Sequence, residues 1–208
     1  VQWYICNGQT DHLIETGIDL YKLPLQEKKD ILCSCIYGID IDIHAVEVAK
    51  FSLLIKLIED ETAPSVSEVV PILPDLGDNI QFGNSLVSQT ELNGISGANH
   101  QMMEIAPFDW STINNGCGFD VIIGNPPYVN TEGMHALLPS AEVEIYKKKY
   151  KTSHKQFDKY FIFIEQAINK INENGLVCYI VPNKFFKIGA GEKLRNLIAK
   201  ERMLVSLD

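Results

Sequence analysis

The sequence predicts an α/β domain built on a mixed, mostly parallel sheet, on the evidence of its size, its composition and its alternation of strands and helices. The 208 residues are enough for one domain, and 46% hydrophobic with 22% charged residues is typical of a globular protein. Short apolar segments alternate with longer segments of helical periodicity. Such alternation favours parallel strands with helices on both faces of the sheet.

The charge and the cysteine pattern exclude several classes of protein. A net charge of −9 argues against a protein that coats nucleic acid, although a local basic patch could still contact DNA. The sequence has no run of about 18 apolar residues and no secretory signal, so we expect no membrane span. The five cysteines form no Cys-x-x-Cys pair, and the five histidines complete no zinc spacing. We therefore expect reduced thiols, no metal and a cytoplasmic location.

The elements follow from apolar periodicity and from capping residues. Helical periodicity predicts helices at 11–22, 24–34, 43–59, 140–151, 157–173 and 190–201. Asp42 is the natural N-cap of the third of these, and Gly175 is expected to end the fifth. Short apolar runs predict strands at 35–40, 79–82, 119–123, 176–181 and 203–207. The segments 60–78 and 87–118 are expected to be irregular.

Polar residues directly follow three of the predicted strands, where ligands bind in parallel α/β sheets. Asp40 ends a strand shortly before a helix and could accept hydrogen bonds from the 2′ and 3′ hydroxyls of a ribose. A solvated acid in a turn is the alternative. Asn84, in the segment 83–86, could bond the edge of a purine, because an amide both donates and accepts. An ordinary β-turn is the alternative there.

The third strand end, Asn125-Pro126-Pro127-Tyr128, is the most specific signal in the chain. Two successive prolines fix two φ angles, so the carbonyl before each proline is held in one direction. Asn125 adds a side-chain carbonyl, and Tyr128 adds a flat face. Hydrogen-bond acceptors in a stiff loop, beside an aromatic ring on which a base can stack, suit a planar substrate with an NH₂ group. Its nitrogen could attack an electrophilic methyl group without a strong general base. The alternative is a stiff loop without chemistry.

In this order, these segments resemble the adenine-specific DNA methyltransferases of Type IIG and related restriction–modification enzymes. Those enzymes are amino-group methyltransferases that use S-adenosylmethionine. The run 120–128 resembles their catalytic motif, and the similarity covers most of residues 36–208. Segment 37–50 resembles the strand and helix with which the family binds the ribose, and segment 80–86 resembles the segment that binds the cofactor adenine. Later parts of the family pattern resemble segments 160–167, 175–183 and 191–195.

The resemblance implies a Rossmann-like fold, S-adenosylmethionine as the methyl donor, and a flipped adenine in double-stranded DNA as the substrate. It implies that Asn125 and Pro126 accept from the adenine N6 and that Tyr128 stacks on the base, with Pro127 in the same catalytic loop. The implied cofactor-binding residues are Asp40, Ile41, Asn84, Ser85 and Phe163. Asn84 stands where the family usually has aspartate, and Phe163 could equally be an ordinary core residue.

One part of the family pattern is missing from the sequence. The first strand with its glycine-rich motif, Asp-Pro-x-x-Gly-x-Gly, has no match. We therefore expect a partial catalytic domain, with a helical lead-in at 1–34, the cofactor and catalytic-loop half at 35–128, and a second half at 129–208. The domain that recognises the DNA sequence is expected to lie outside it. The isolated chain should be inactive, and its unpaired strand edges could let it self-associate.

Lysines cluster between residues 146 and 159 and are interleaved with aromatic residues. The expected DNA contacts are Lys147, Lys148, Lys149, Lys151 and Lys155. A solvated helix face is the alternative. Two other functions stay open: a methyltransferase acting on protein glutamine, whose amide needs the same acceptors, and a non-catalytic scaffold or specificity module. The long irregular segments and the lysine cluster favour DNA over glutamine.

Overall fold

The computed structural model divides the chain into two compact units, Val1–Phe82 and Gly83–Asp208. It describes residues 1–18, 20–62, 65, 69–95, 98–200 and 206. In this part of the chain the strands form three two-stranded sheets, of which two are parallel. This confirms a mixed α/β architecture with parallel pairing. No helix within the described ranges is both long enough and apolar enough to cross a membrane.

The first unit combines a small parallel sheet with two long helices. Its elements are α1 (Gln2–Cys6), β1 (Ile14–Gly17), β2 (Leu20–Lys22), α2 (Leu25–Cys35), β3 (Gly38–Asp40), α3 (Ile43–Ile58) and β4 (Ile80–Phe82). Strands β3 and β4 are parallel, with Asp40 opposite Phe82. The helices α2 and α3 and strand β4 share a core of Leu25, Leu32, Val46, Leu57, Val69, Leu76 and Ile80.

Local polar contacts explain where α3 begins and where α2 ends. The Asp42 carboxylate accepts a hydrogen bond from the His44 backbone N–H at 2.9 Å, which confirms the predicted N-cap. Asn79 is buried, and its amide donates to the carbonyls of Cys33 and Ile36 at 2.8 and 2.9 Å. It therefore joins the end of α2 to the start of β4, beside the strand that ends at Asp40.

The predicted helix at 11–22 is wrong. A single 3₁₀ turn, Thr10–His12, leads into the antiparallel strands β1 and β2. The apolar residues that suggested a helical face bury no common surface, since Ile18 is 92% exposed. Gly17 further disfavours a helix by about 1 kcal/mol relative to alanine. Periodicity without a core to pack on does not stabilise a helix of this length.

The second unit is mainly helical around one parallel pair. Its elements are α4 (Gln89–Asn93), α5 (Met102–Ile105), β5 (Phe119–Gly124), α6 (Thr131–Leu137), α7 (Ser140–Lys149), α8 (Lys159–Lys170), β6 (Ile171–Tyr179) and α9 (Glu192–Lys200). Its largest fully buried side chains are Leu86, Leu92, Ile105, Ile113, Met134, Ile145, Tyr146, Phe157, Tyr160, Phe161, Ile162 and Leu194. This core surrounds α7 and α8, the helices that follow the predicted catalytic loop.

Strand β6 begins earlier than predicted. The helix expected at 157–173 ends at Lys170, and Gly175 lies inside the strand rather than at a helix end. Ile171 already pairs with Phe119 of β5, and the register then shifts. The Asn172 amide donates to the Asp120 carboxylate at 2.8 Å in the shifted stretch. Pairing with β5 therefore replaces the last three residues of the predicted helix, 171–173, which local periodicity could not indicate.

Other predicted segments differ in detail. The segment 87–118, which was expected to be irregular, contains the short helices α4 and α5. Ser88 and Glu91 form a capping box at the start of α4. Helix α6 was not predicted, although Asn130 caps it by accepting from the Gly133 backbone N–H at 2.8 Å. The strand predicted at 203–207 lies outside the described residues, apart from Ser206.

One face of the β5–β6 pair is partly exposed, whereas the sequence predicts helices on both faces of the sheet. Val121 and Ile123, which point to the same side of β5, are 60% and 76% exposed. Leu176, the register partner of Val121 on β6, is also exposed. The described residues therefore cover only part of this pair.

A glycine contact in the second unit gives a prediction for stability. A Cβ at Gly191 would overlap the Phe185 carbonyl oxygen and lie 2.8 Å from its carbon. We expect Gly191→Ala to destabilise the unit by about 1–3 kcal/mol, as overpacking does. Gly189→Ala is the matched control, because its Cβ would meet only the Lys155 Nζ, at 3.8 Å. Urea unfolding of the full-length protein measures both. Equal stability of the two variants would contradict the prediction.

Candidate active site

The predicted catalytic loop, residues 125–128, directly follows β5 at the carboxyl end of the parallel pair. The Gly124 carbonyl accepts from the Ile180 backbone N–H at 3.2 Å, so the pairing continues to the edge of the loop. A Cβ at Gly124 would come within 3.1 Å of the Tyr179 ring, which explains the small residue there. Pro126 is buried, whereas Asn125 and Tyr128 are exposed. The loop is therefore anchored by a proline and presents its polar groups outward.

Tyr128 is held at both its hydroxyl and its ring. The hydroxyl lies 2.7 Å from the Ile180 carbonyl oxygen and 2.5 Å from Asn125 Oδ1. A phenol has one proton, so it donates to one of these acceptors at a time. The ring stands edge-to-face on buried Tyr160, with centroids 6.1 Å apart at 87°. It remains 49% exposed, which leaves surface for a second flat group to stack.

The chain after the loop is also fixed. The Lys159 backbone N–H donates to the Val129 carbonyl at 2.7 Å, and Asn130 forms a β-bridge with Asp158. The Thr131 hydroxyl donates to the Phe157 carbonyl at 2.8 Å. Both ends of the loop are thus tied to neighbouring segments. Acceptors held in this way need little reorganisation when a substrate arrives, which is the condition for electrostatic preorganisation.

Asp40 and Ile41 lie in the first unit, at the end of β3. Both are exposed, and one Asp40 carboxylate oxygen accepts from the Asp42 backbone N–H at 2.8 Å. Among the described residues, the second oxygen has no hydrogen-bond donor. This turn holds the carboxylate beside the N-terminus of α3. An exposed carboxylate in that position can accept from a pair of hydroxyls.

Asn84 and Ser85 lie in a loop that the second unit holds tightly. The Asn84 side chain is 4% exposed, and its oxygen accepts from the Leu86 backbone N–H at 3.1 Å. The Ser85 carbonyl accepts from Trp110 Nε1 at 3.1 Å and from Gln166 Nε2 at 3.2 Å. The predicted adenine-binding loop is therefore rigid, and the Asn84 amide is directed inward.

The inward partner of Asn84 is Glu142, which was not predicted from the sequence. Asn84 Nδ2 donates to Glu142 Oε1 at 3.0 Å, and Lys159 Nζ lies 3.5 Å from the same oxygen. The Tyr146 hydroxyl donates to it as well. Burial lowers the pKa of Lys159, and Glu142 opposes that shift. Burial and the Glu142 charge raise the pKa of Tyr146, so it stays a donor.

Helical spacing distinguishes Glu142 from its neighbour Glu144, a signal that the sequence analysis did not use. Ile145 and Tyr146 follow Glu142 at positions i+3 and i+4, whereas Lys147 and Lys148 follow Glu144 there, and Glu144 is exposed and pairs with Lys148 at 2.6 Å. Burial of one and exposure of the other follow from which side of α7 faces the core. Phe163, by contrast, is half-buried and packs against the main core of the second unit.

The predicted DNA-contacting lysines divide into two groups. Lys147, Lys148, Lys151 and Lys155 are exposed. Lys149 is half-buried, donates to the Leu86 carbonyl at 3.0 Å and pairs with Glu91 at 2.9 Å. It therefore supports the loop that contains Asn84. The four exposed lysines could meet a phosphate backbone, and two of them also form ion pairs, Lys148 with Glu144 at 2.6 Å and Lys155 with Glu192 at 3.9 Å.

Reversing three of the exposed charges tests the lysine cluster. We expect Lys147→Glu, Lys148→Glu and Lys151→Glu together to weaken DNA binding without changing sequence preference, since phosphate contacts carry no base information. The slope of log affinity against log salt should flatten by about one for each phosphate that a lysine no longer neutralises. A triple variant at exposed lysines outside the cluster, Lys56→Glu, Lys187→Glu and Lys193→Glu, makes the same change of net charge and is the control. An unchanged slope in the triple variant of the cluster would support the solvated-face interpretation.

Comparison with known proteins identifies a set of similar sequences. A family model described as Eco57I restriction-modification methylase matches residues 34–207. The chain is 44% identical over 207 residues to the type II restriction enzyme and methyltransferase RM.Eco57I of Escherichia coli, covering 100% of this chain and 20% of that protein. The chain thus spans about a fifth of the length of that relative.

Two further relatives match shorter segments. The chain is 35% identical over 92 residues to the type II methyltransferase M.BstVI of Geobacillus stearothermophilus, covering 43% of this chain and 16% of the relative. It is 33% identical over 82 residues to the type II methyltransferase M.PaeR7I of Pseudomonas aeruginosa, covering 39% of this chain and 14% of the relative.

Proposed function

Because the chain belongs to the Eco57I restriction-modification methylase family, we propose that the full-length protein is a DNA methyltransferase acting on the N6 of adenine. The observation that carries this proposal is the loop Asn125–Tyr128. It combines an exposed amide oxygen, proline-held carbonyls and a half-exposed aromatic ring. Relatives named type II methyltransferases support it.

We further propose a Rossmann-like methyltransferase fold that uses S-adenosylmethionine. Two parallel pairs support the fold, each with polar residues just beyond a strand's carboxyl end. When bound, this cofactor supplies an electrophilic methyl group. The exposed Asp40 carboxylate suits the ribose hydroxyls, and the Asn84 oxygen has a second lone pair that suits the adenine amino group. Ile41, Ser85 and Phe163 would complete the contacts.

The catalytic loop would act mainly by orienting the target nitrogen. One N–H of the target amino group donates a hydrogen bond to Asn125 Oδ1, and the other donates to the Pro126 carbonyl oxygen. Pro127 holds that carbonyl in place. These hydrogen bonds would draw the nitrogen toward a geometry with a localised lone pair. As the C–N bond formed, the bond from the methyl group to the donor's sulfur would break and leave a neutral thioether, and the methylated nitrogen would then lose one proton to water. When Tyr128 donates to the Ile180 carbonyl, Asn125 Oδ1 is available to the substrate. The ring of Tyr128 stacks on the extruded base.

A transfer assay with two substrates tests the proposed function. The full-length protein is incubated with tritiated S-adenosylmethionine and either double-stranded DNA of mixed sequence or a glutamine-rich protein. We expect label in DNA alone. Label in the protein substrate alone would favour the glutamine methyltransferase and overturn the proposal. Absence of label from both, with the protein folded and DNA bound, would favour the non-catalytic scaffold.

A further inference from the structure

The proposed mechanism leaves one buried carboxylate of the second unit unused. Glu142, in the first turn of α7, is 1% exposed. One of its oxygens, Oε1, accepts from Asn84 Nδ2, from the Tyr146 hydroxyl and from Lys159 Nζ. Carboxylates are rarely buried so completely unless they are paired. Lys159 Nζ, 3.5 Å from Oε1, supplies the opposite charge.

The chemistry of its neighbours fixes the orientation of the Asn84 amide. Glu142 Oε1 also accepts from the Tyr146 hydroxyl and from Lys159 Nζ, so Asn84 turns its donor, Nδ2, toward this oxygen. The Leu86 backbone N–H only donates, and it meets Asn84 Oδ1 at 3.1 Å. In the flipped orientation, two acceptors would face each other and so would two donors. Both losses would occur in a buried site, where unpaired polar groups are costly.

We propose that Glu142 is a positioning residue for cofactor binding, because it holds the Asn84 carbonyl in the orientation that presents its remaining lone pair to the adenine amino group of S-adenosylmethionine. This inference rests on the proposed function, since it takes Asn84 to lie at the cofactor. Glu142 does not touch the cofactor in this scheme and acts only through Asn84. A purely structural ion pair with Lys159 is the competing explanation.

A second buried carboxylate provides the matched control. Glu165 on α8 is 6% exposed and accepts from the backbone N–H groups of Lys151 and Thr152 at 3.0 and 2.8 Å. These two backbone donors lie outside the loop that contains Asn84. Glu165→Gln and Glu142→Gln therefore make the same chemical change at two buried sites. Loss of stability should be common to both, whereas a change in cofactor affinity should be confined to Glu142.

Calorimetric titration of the full-length protein with S-adenosylmethionine measures the dissociation constant, and thermal unfolding without cofactor measures stability. A glutamine at position 142 can still accept from Asn84, Tyr146 and Lys159, but it carries no charge, so it holds the Asn84 amide less firmly. We expect Glu142→Gln to raise the dissociation constant about fivefold, the difference between a charge-assisted and a neutral hydrogen bond. Glu165→Gln should leave it unchanged. An equal dissociation constant in Glu142→Gln and the unchanged protein would overturn the inference.

Two variants at Asn84 separate this inference from the proposed function. Asn84→Ala should weaken cofactor binding. If it does not, Asn84 is not at the cofactor and the proposed cofactor site is wrong; if it does while Glu142→Gln has no effect, only the positioning role fails. Asn84→Asp alone should bind poorly, because two carboxylates would face each other.

The double variant Asn84→Asp with Glu142→Gln leaves only one carboxylate between the two positions. The glutamine introduced on α7 carries no charge, so the like-charge repulsion is removed, and the new carboxylate still accepts from the Leu86 backbone N–H. We expect the double variant to regain the cofactor affinity that Asn84→Asp loses, even if Glu142→Gln alone folds poorly. A double variant that does not regain affinity would overturn the positioning role.

Discussion

Replacing Asn125 with alanine in the full-length protein is expected to slow methyl transfer by about 10²- to 10³-fold, the cost of losing one preorganised polar contact to the reacting group. Asn125 is an exposed residue just beyond β5, and its Oδ1 is one of the two acceptors that we propose for the target amino group. The affinity for DNA should change little, because phosphate contacts supply most of it. Single-turnover transfer of a labelled methyl group measures the rate.

The matched control for this prediction is another exposed asparagine of the same unit. Asn93, at the end of α4, accepts a hydrogen bond from Gln89 at 2.9 Å on the surface. Asn93→Ala should therefore retain the transfer rate. Methylation by Asn125→Ala at a rate close to that of the Asn93→Ala control would show that the acceptor has been assigned to the wrong residue.

Removing the Tyr128 side chain should have the second-largest effect, on capture of the extruded base. Stacking of a base on an aromatic ring is worth roughly 1–3 kcal/mol, so Tyr128→Ala should lower the extruded fraction accordingly. Cofactor binding should be affected less. A fluorescent base analogue at the target position reports extrusion directly. Unchanged fluorescence in Tyr128→Ala would argue against the ring as a stacking platform.

Tyr128→Phe separates the ring from the hydroxyl. The phenylalanine keeps the surface that stacks and the edge-to-face contact with Tyr160. It loses the hydrogen bonds to Ile180 and Asn125 that hold the loop. We expect extrusion close to normal, with slower transfer than in the unchanged protein. Equal losses of extrusion in Tyr128→Phe and Tyr128→Ala would mean that the hydroxyl, rather than the ring, captures the base.

Local sequence signals predicted the elements that carry most of the proposed site. Strand β5 is an apolar run between glycines, and α3 begins at a capping aspartate, so both are specified within a few residues. The prolines of the catalytic loop restrict the backbone whatever surrounds them. Asp40 and the loop 125–128 therefore lie at strand ends, as predicted.

Elements that depend on distant contacts were predicted poorly. The segment 11–22 has helical periodicity, but its apolar residues find no core. Strand β6 replaces the last three residues of a predicted helix because Ile171 pairs with Phe119, a partner far away in sequence. Glu142 acquires its surroundings from Asn84, which precedes it by 58 residues. Helical spacing with Ile145 and Tyr146 could place Glu142 on the buried side of α7, but no local pattern identifies Asn84 as its partner, so that contact emerges only from the fold.

The central claim is that the catalytic loop directs methyl transfer to the N6 of adenine in DNA. The most direct measurement is mass spectrometry of the nucleosides released from double-stranded DNA after incubation with the full-length protein and S-adenosylmethionine. We predict that the methylated product is N6-methyl-2′-deoxyadenosine. This product should be nearly lost when the Asn125→Ala variant is used. Methylated cytosine as the product, or undiminished N6 methylation by Asn125→Ala, would contradict the claim.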